Sequence, residues 1–282
     1  MRRLVLYFAA VAALVAPVRA LAVAEFYSIS RSVRALGMGG AFYGLSDDDG
    51  ALFYNPAGLA LVRGGERFNL VGLHASFSPN LFGLIDVISN GSGQSAAAIA
   101  QQLEQFQGQA IHAGPSVSVL SMYRKNFGLA ILLPDAKVNF GLLGSGVDTS
   151  IDATAIVDAG VIAGFGTAIP GTGLRVGVNG KGLVRAGGRR FITVDDIAAG
   201  NSFTFEPRQL GGAGLGIDFD VGAIYEFEVP APSLIVAARA GVTLSNLLAS
   251  NFSLTNFTGS APPQLPRMFT LGGSIALRGY GP

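Results

Sequence analysis

Asp218-Phe219-Asp220-Val221-Gly222-Ala223-Ile224-Tyr225-Glu226-Phe227-Glu228 is the stretch on which the fold turns. Its odd positions are Phe, Val, Ala, Tyr and Phe, whereas its even positions carry four carboxylates, Gly222 and Ile224. A two-residue period places these sets on opposite faces of one strand. Working outward, the same alternation recurs in Asp152 to Thr167, where Ala153, Ala155, Val157, Ala159, Val161, Ala163 and Phe165 share a face. It recurs in Leu174, Val176, Val178 and Val184 against Arg175, Asn179, Lys181 and Arg185. Candidate strands lie at 67–77, 116–124, 126–133, 136–143, 152–167, 174–185, 215–228, 234–247 and 267–278, with Arg239, Thr243 and Ser245 on one side of the eighth. The apolar sets predicted to face outward are Ala153 to Phe165, Leu174 to Val184 and Phe219 to Phe227.

Residues 1–24 have the form of an export signal: Arg2 and Arg3, an apolar run Leu4 to Val15, then Pro17 and A-x-A patterns ending at Ala22 or Ala24. Its removal lowers Lys plus Arg from 19 to 16 against 18 acids, a balance near −2 that gives nucleic-acid binding no support. Apolar residues make up 50% of the chain and charged residues only 13%, where about 25% is usual. No later run is long enough for a spanning helix. With no cysteine, an exported chain has neither a disulfide scaffold nor thiolate metal sites.

Between the strands, residues 95–107 predict a short amphipathic helix through Ile99, Leu103 and Phe106. Tyr123 to Asn126 suits a hairpin, and 186–212 reads as a polar loop containing Arg189, Arg190 and Glu206. A β-sandwich strand would turn a Lys- and Glu-rich face to water, whereas these polar faces are sparse and dotted with Gly, Ser and Thr. The expectation is therefore all-β: an antiparallel transmembrane β-barrel with an N-terminal plug and a short helix, in a bacterial outer membrane. Its divisions are a signal peptide at 1–24, a hatch segment at 25–64 and a barrel at 65–282.

Arg34 to Leu59 runs through a glycine-alanine stretch (Leu36 to Gly44), Asp47-Asp48, Ala51, Leu52-Phe53 and Asn55-Pro56-Ala57-Gly58. This order resembles the N-terminal signature of the FadL-like long-chain fatty-acid transporters and related PorV-like outer-membrane barrels. Gly214 to Tyr225 and Val242 to Leu247 resemble two strands of that superfamily. The resemblance implies that residues 25 to about 60 form a hatch in the lumen, carried by Gly37, Gly39, Gly40, Asp47, Asp48, Asn55, Pro56, Ala57 and Gly58. Family barrels have 14 strands against the nine found here, and Arg278 to Pro282 lacks the usual terminal aromatic. Truncation, a missed strand or a smaller barrel would account for that.

Strand parity makes Arg175, Lys181, Asp218, Asp220 and Arg239 lumen-facing, with Asp47 and Asp48 expected to pair with Arg175, Lys181 or Arg239. His74 and His112 share no metal-ligand spacing and read as structural or exposed. No nucleophile elbow, phosphate loop or zinc motif is present. The chain is expected to be no enzyme, with no cofactor and no metal. The resemblance implies an outer-membrane channel or transporter for a hydrophobic small molecule such as a fatty acid. The alternative is a PorV-like docking or shuttle barrel in secretion or surface attachment. Expected partners are the lipid bilayer, a hydrophobic ligand or a secretion-system protein.

Overall fold

The computed structural model describes residues 32–38, 41–109, 111–201, 211–229, 235–256 and 261–278. The expected signal at 1–24 lies outside them, as do Gly39, Gly40 and Glu206. The framework is an antiparallel sheet of nine strands: β1 Arg67–Phe77, β2 Ile111–Arg124, β3 Phe127–Leu143, β4 Ser150–Ala168, β5 Leu174–Thr193, β6 Gly212–Phe227, β7 Ile235–Ser245, β8 Thr255–Asn256 and β9 Met268–Leu277. Eight follow one another in the order β1-β2-β3-β4-β5-β6-β7-β9, while β8 pairs with β6.

The alternation survives into structure. On β6, Asp218 is fully buried and Asp220 is 4% exposed, while Phe219, Tyr225 and Phe227 on the other parity are exposed. On β5, Asn179, Lys181 and Arg185 are buried opposite the exposed Val176, Val178 and Val184. The face that carries the charges is called inner here. Ile224, the apolar exception among the even positions, is fully buried on it and packs with Ala57 and Leu61.

Several elements run further than the pattern suggests. The strands expected at 126–133 and 136–143 are one strand, β3, crossing Pro134 through a register shift between Leu132 and Asp135. Proline has no ladder donor, and a bulge accommodates that loss. The loop expected at 186–212 is strand to Thr193, then the helix Val194–Ala198, whose Thr193 and Asp196 form a reciprocal capping box. The predicted helix is present at Ala96–Glu104, capped by Ser95, and is joined by an unanticipated helix at Leu81–Asn90. These three helices gather Leu84, Ile99, Leu103 and Ile197 over Ile111, Phe140, Ile151, Ala153 and Ile192 at one end of the sheet.

Ile151 and Ala153 share parity with the exposed Val161 and Phe165, and β4 pairs with β5 without a register break. The helices therefore cover one end of the outer face. That corrects the outward set Ala153 to Phe165, whose first members are buried.

The sheet does not close. Among the described residues β1 pairs only with β2 and β9 only with β7, so two edges are left. This corrects the expected transmembrane β-barrel: open edges leave backbone N–H and C=O groups without partners, which hydrocarbon does not tolerate. Without closure there is no lumen to carry a fatty acid, so the outer-membrane channel is corrected with it. The outer-membrane location, the bilayer as partner and the barrel-based docking or shuttle role rested on the same closure. Among the described residues no helix is long and apolar enough to cross a membrane.

Candidate functional site

Residues 41–62 lie against the inner face, and glycines let them do so. Gly166, Gly177 and Gly222 are direct cross-strand neighbours on β4, β5 and β6, and Gly241 registers with Gly272 on β7 and β9. A Cβ on Gly166 or Gly177 would collide with backbone at Pro56, and one on Gly222 with the Asn55 side chain. A Cβ on Gly241 would meet the Tyr43 carbonyl. The glycines thus make a lane in which a second backbone sits on the sheet.

Asn55 fixes the docked segment. Its Oδ1 accepts the Ala57 N–H at 3.1 Å, capping the 3-10 turn Pro56–Ala60, with Pro56 in the first position where no donor is needed. Its Nδ2 donates to the Tyr43 carbonyl at 2.9 Å and lies 3.3 Å from the Ala223 carbonyl on the wall. From the wall, Asn179 Nδ2 donates to the Leu52 carbonyl at 2.7 Å. Asn55, Pro56, Ala57 and Gly58 are all buried here, where sequence reading placed a hatch. Gly37 ends the short helix Val33–Gly37 and would meet nothing if given a side chain.

Beside the segment the inner face is ionic. Lys181 Nζ donates to Asp220 Oδ1 and to Asn246 Oδ1, both at 2.6 Å. Asp218 accepts from the Phe219, Leu248 and Ser250 amides at 2.8–3.0 Å, which ties down the chain after β7. Arg185 makes a two-pronged pair with Asp158 at 2.7 and 2.8 Å, donates to the Pro263 carbonyl at 2.9 Å and lies over the Phe252 ring. Arg175 and Arg239 both reach Glu226 at 3.0 Å. Residues 246–256 and 261–265 therefore form a second cover for this face. Phe252 and Leu265 pack there on Leu132, Ile162 and Leu183. The lone clue was Asp218, an acid whose register partner Lys181 turns to Asp220 instead.

The predicted pairing of Asp47 and Asp48 with Arg175, Lys181 or Arg239 is corrected. Both carboxylates are held by Arg34 of their own segment, at 2.7 and 2.8 Å, and all three side chains are partly exposed. Hydrogen bonding to Asp48 and then Asp47 raises the Arg34 guanidinium above its ordinary range, against an opposing effect of burial. Arg175, Lys181 and Arg239 are committed to Glu226 and Asp220 instead, because those acids are already beside them on the wall.

Between the segment and the first two strands lies an open cavity of about 670 Å³. Arg34, Asp48, Asp49 and Phe53 line it from the segment, and Phe68, Leu70, Ser121 and Tyr123 from the sheet. Burial pushes the Tyr123 hydroxyl above its usual range, and Asp49 and Asp48 add to that. His74 also lines it, and its Nδ1 is buried without a hydrogen-bond partner among the described residues. No group of three or more potential metal ligands is placed together among the described residues. No family model, no curated protein and no solved structure matches the chain. The superfamily resemblance in Arg34 to Leu59 is thus matched by no family model, and the open sheet contradicts it.

Proposed function

We propose that this chain is a non-catalytic assembly subunit whose sheet is extended by further copies of itself, edge to edge. One observation carries the reading: among the described residues both edge strands are continuous, similar in length and uncovered along their free side. β1 has 11 residues and β9 has 10, neither contains proline, and the only basic side chains in them are Arg67 and His74. Leu70 and Leu73 on β1 are each 75% exposed, and Leu271 on β9 is 70% exposed. Proteins that stay single guard such edges with lysines, prolines, bulges or a covering element.

The main path has eight strands of alternating direction, so β9 runs antiparallel to β1. The β9 edge of one copy laid on the β1 edge of the next continues the meander with its direction pattern intact. Such a head-to-tail contact gives rings or filaments rather than a twofold dimer. The exposed outer face, with Phe165, Val178, Phe219 and Phe227, continues into both edges and adds apolar area to the assembly.

Sedimentation of the full chain tests it. Oligomers larger than dimers are expected at about 10 µM, a concentration that populates contacts of micromolar affinity. Leu73→Lys and Leu271→Lys should each halt growth alone, and an equimolar mixture of the two should give dimers, each supplying the edge the other lacks. A wild-type chain that stays monomeric up to about 100 µM would overturn the proposal. Dimers formed by Leu271→Lys alone would replace head-to-tail pairing by a β1-to-β1 contact.

A further inference from the structure

The cavity between the docked segment and β1–β2 opens beside the β1 edge, and its chemistry selects a ligand. At about 670 Å³ it falls within the range of small-molecule sites, roughly 300–1,000 Å³. Aromatic rings stand on both sides of it: Phe53 on the segment, Phe68 and Tyr123 on the strands. Leu70 adds exposed apolar floor from β1.

Its charge is one-sided. Among the described lining residues Arg34 is the one cation, and it is occupied by Asp47 and Asp48 together. Asp48 is spent as well, because its second oxygen accepts the Gly50 N–H at 2.8 Å. Asp49 is exposed on the cavity wall and makes no ion pair among the described residues. The cluster of one guanidinium and three carboxylates therefore leaves an excess of negative charge beside aromatic faces. Burial raises the Tyr123 hydroxyl above its usual range, and the same acids, Asp49 and Asp48, add to that.

A ligand that suits these walls has a positive charge for Asp49, an apolar body for Phe53, Phe68 and Leu70, and no anionic group. Ring faces attract cations within about 6 Å, most strongly cations that shed water readily. We infer that this cavity binds an organic cation of the alkyl- or arylammonium class, with its charge beside Asp49 and its body against Phe53 and Phe68. A small metal ion is a poorer fit: it would require several carboxylate or imidazole ligands, and no such group is assembled among the described residues.

Calorimetric titration of the full chain with benzyltrimethylammonium is the test, with benzyl alcohol as the neutral probe and benzenesulfonate as the anionic one. Carrying it out on the Leu73→Lys chain as well keeps strand pairing from masking or mimicking the result, because Leu73 does not line the cavity. The ammonium is expected to bind, benzyl alcohol at least about tenfold more weakly and the sulfonate not at all. Asp49→Asn, at an exposed position, should weaken the ammonium about tenfold without altering the thermal transition, and Phe68→Leu should weaken it several-fold. Equal binding of the alcohol, tighter binding of the sulfonate, or an Asp49→Asn chain that binds the ammonium as well as wild type would overturn the proposal. So would absence of ammonium binding up to roughly 10 mM.

Discussion

Strands β6 and β1 differ in pattern and end in opposite environments: β6 keeps its carboxylates on one parity, whereas β1 carries Phe68 and Leu70 on one and Val71 and Leu73 on the other. On β6 the polar parity is sealed: Asp218 and Asp220 lie beneath 246–254 and the docked segment, and each oxygen that matters has a donor. On β1 neither parity is sealed in the first half of the strand, and Phe68, Leu70 and Val71 are all exposed. The difference lies in what crosses each strand. The glycine lane on β4 to β9 admits a second backbone, whereas near β1 the segment stands off and leaves a cavity. Alternation therefore says that a strand has two faces, and tertiary contacts decide which of them is covered.

The largest expected effect breaks the covered region. Arg185→Met leaves the fully buried Asp158 without a partner and should cost about 3–5 kcal/mol in chemical denaturation. Asp158→Leu combined with Arg185→Met should recover much of that loss, because the uncompensated charge is gone. Next comes the lane: Gly177→Ala should cost about 1–3 kcal/mol through displacement of Pro56, whereas Gly182→Ala, where a Cβ meets nothing, should be close to neutral. Equal effects at the two glycines would show that docking on the lane contributes nothing.

Asn55→Ala should cost about 1–2 kcal/mol, since a cap is lost and the Tyr43 carbonyl loses its donor. Arg34→Ala, in the partly exposed cluster, should change stability by about 1 kcal/mol or less, and less still at high salt. A larger loss there would move the Arg34 cluster into the covered class. The smallest effect is at the helix Val194–Ala198. Hydrogen bonds from the Thr193 backbone and side chain hold the Asp196 carboxyl below its ordinary range. Its stabilising contribution is present above the unfolded carboxyl value, about 3.9, and is lost as pH falls through the lower folded value. Hydrogen exchange at the Thr193 amide should rise only in that acidic window, and Asp196→Asn should abolish the dependence.

Much of the sheet was legible. Strand parity on β5, β6 and β7 follows from the residues, because one buried charged face and one apolar face cannot be exchanged without slipping the register. Asn55 to Gly58 could be read as a turn, since Pro56 fixes its backbone and Asn55 can hydrogen-bond its own chain. The helix Leu81–Asn90 was also open to reading, with Leu81, Leu84 and Val87 three residues apart and buried. The partners of Asp47 and Asp48 were not legible. Parity supplied wall cations, but it could not show that Arg34, thirteen residues upstream, was nearer than any of them.

By itself the sequence determined an all-β chain with two-sided strands, low charge and a glycine-rich segment built for close approach. Only the tertiary structure decided that the sheet stays open. Closure depends on how far twist and strand number carry β1 from β9, a property summed over every pairing and written in no single stretch. Tertiary structure likewise decided that residues 246–256 and 261–265 cover Arg185 and Asp218, because those contacts join segments distant in sequence through backbone carbonyls and amides.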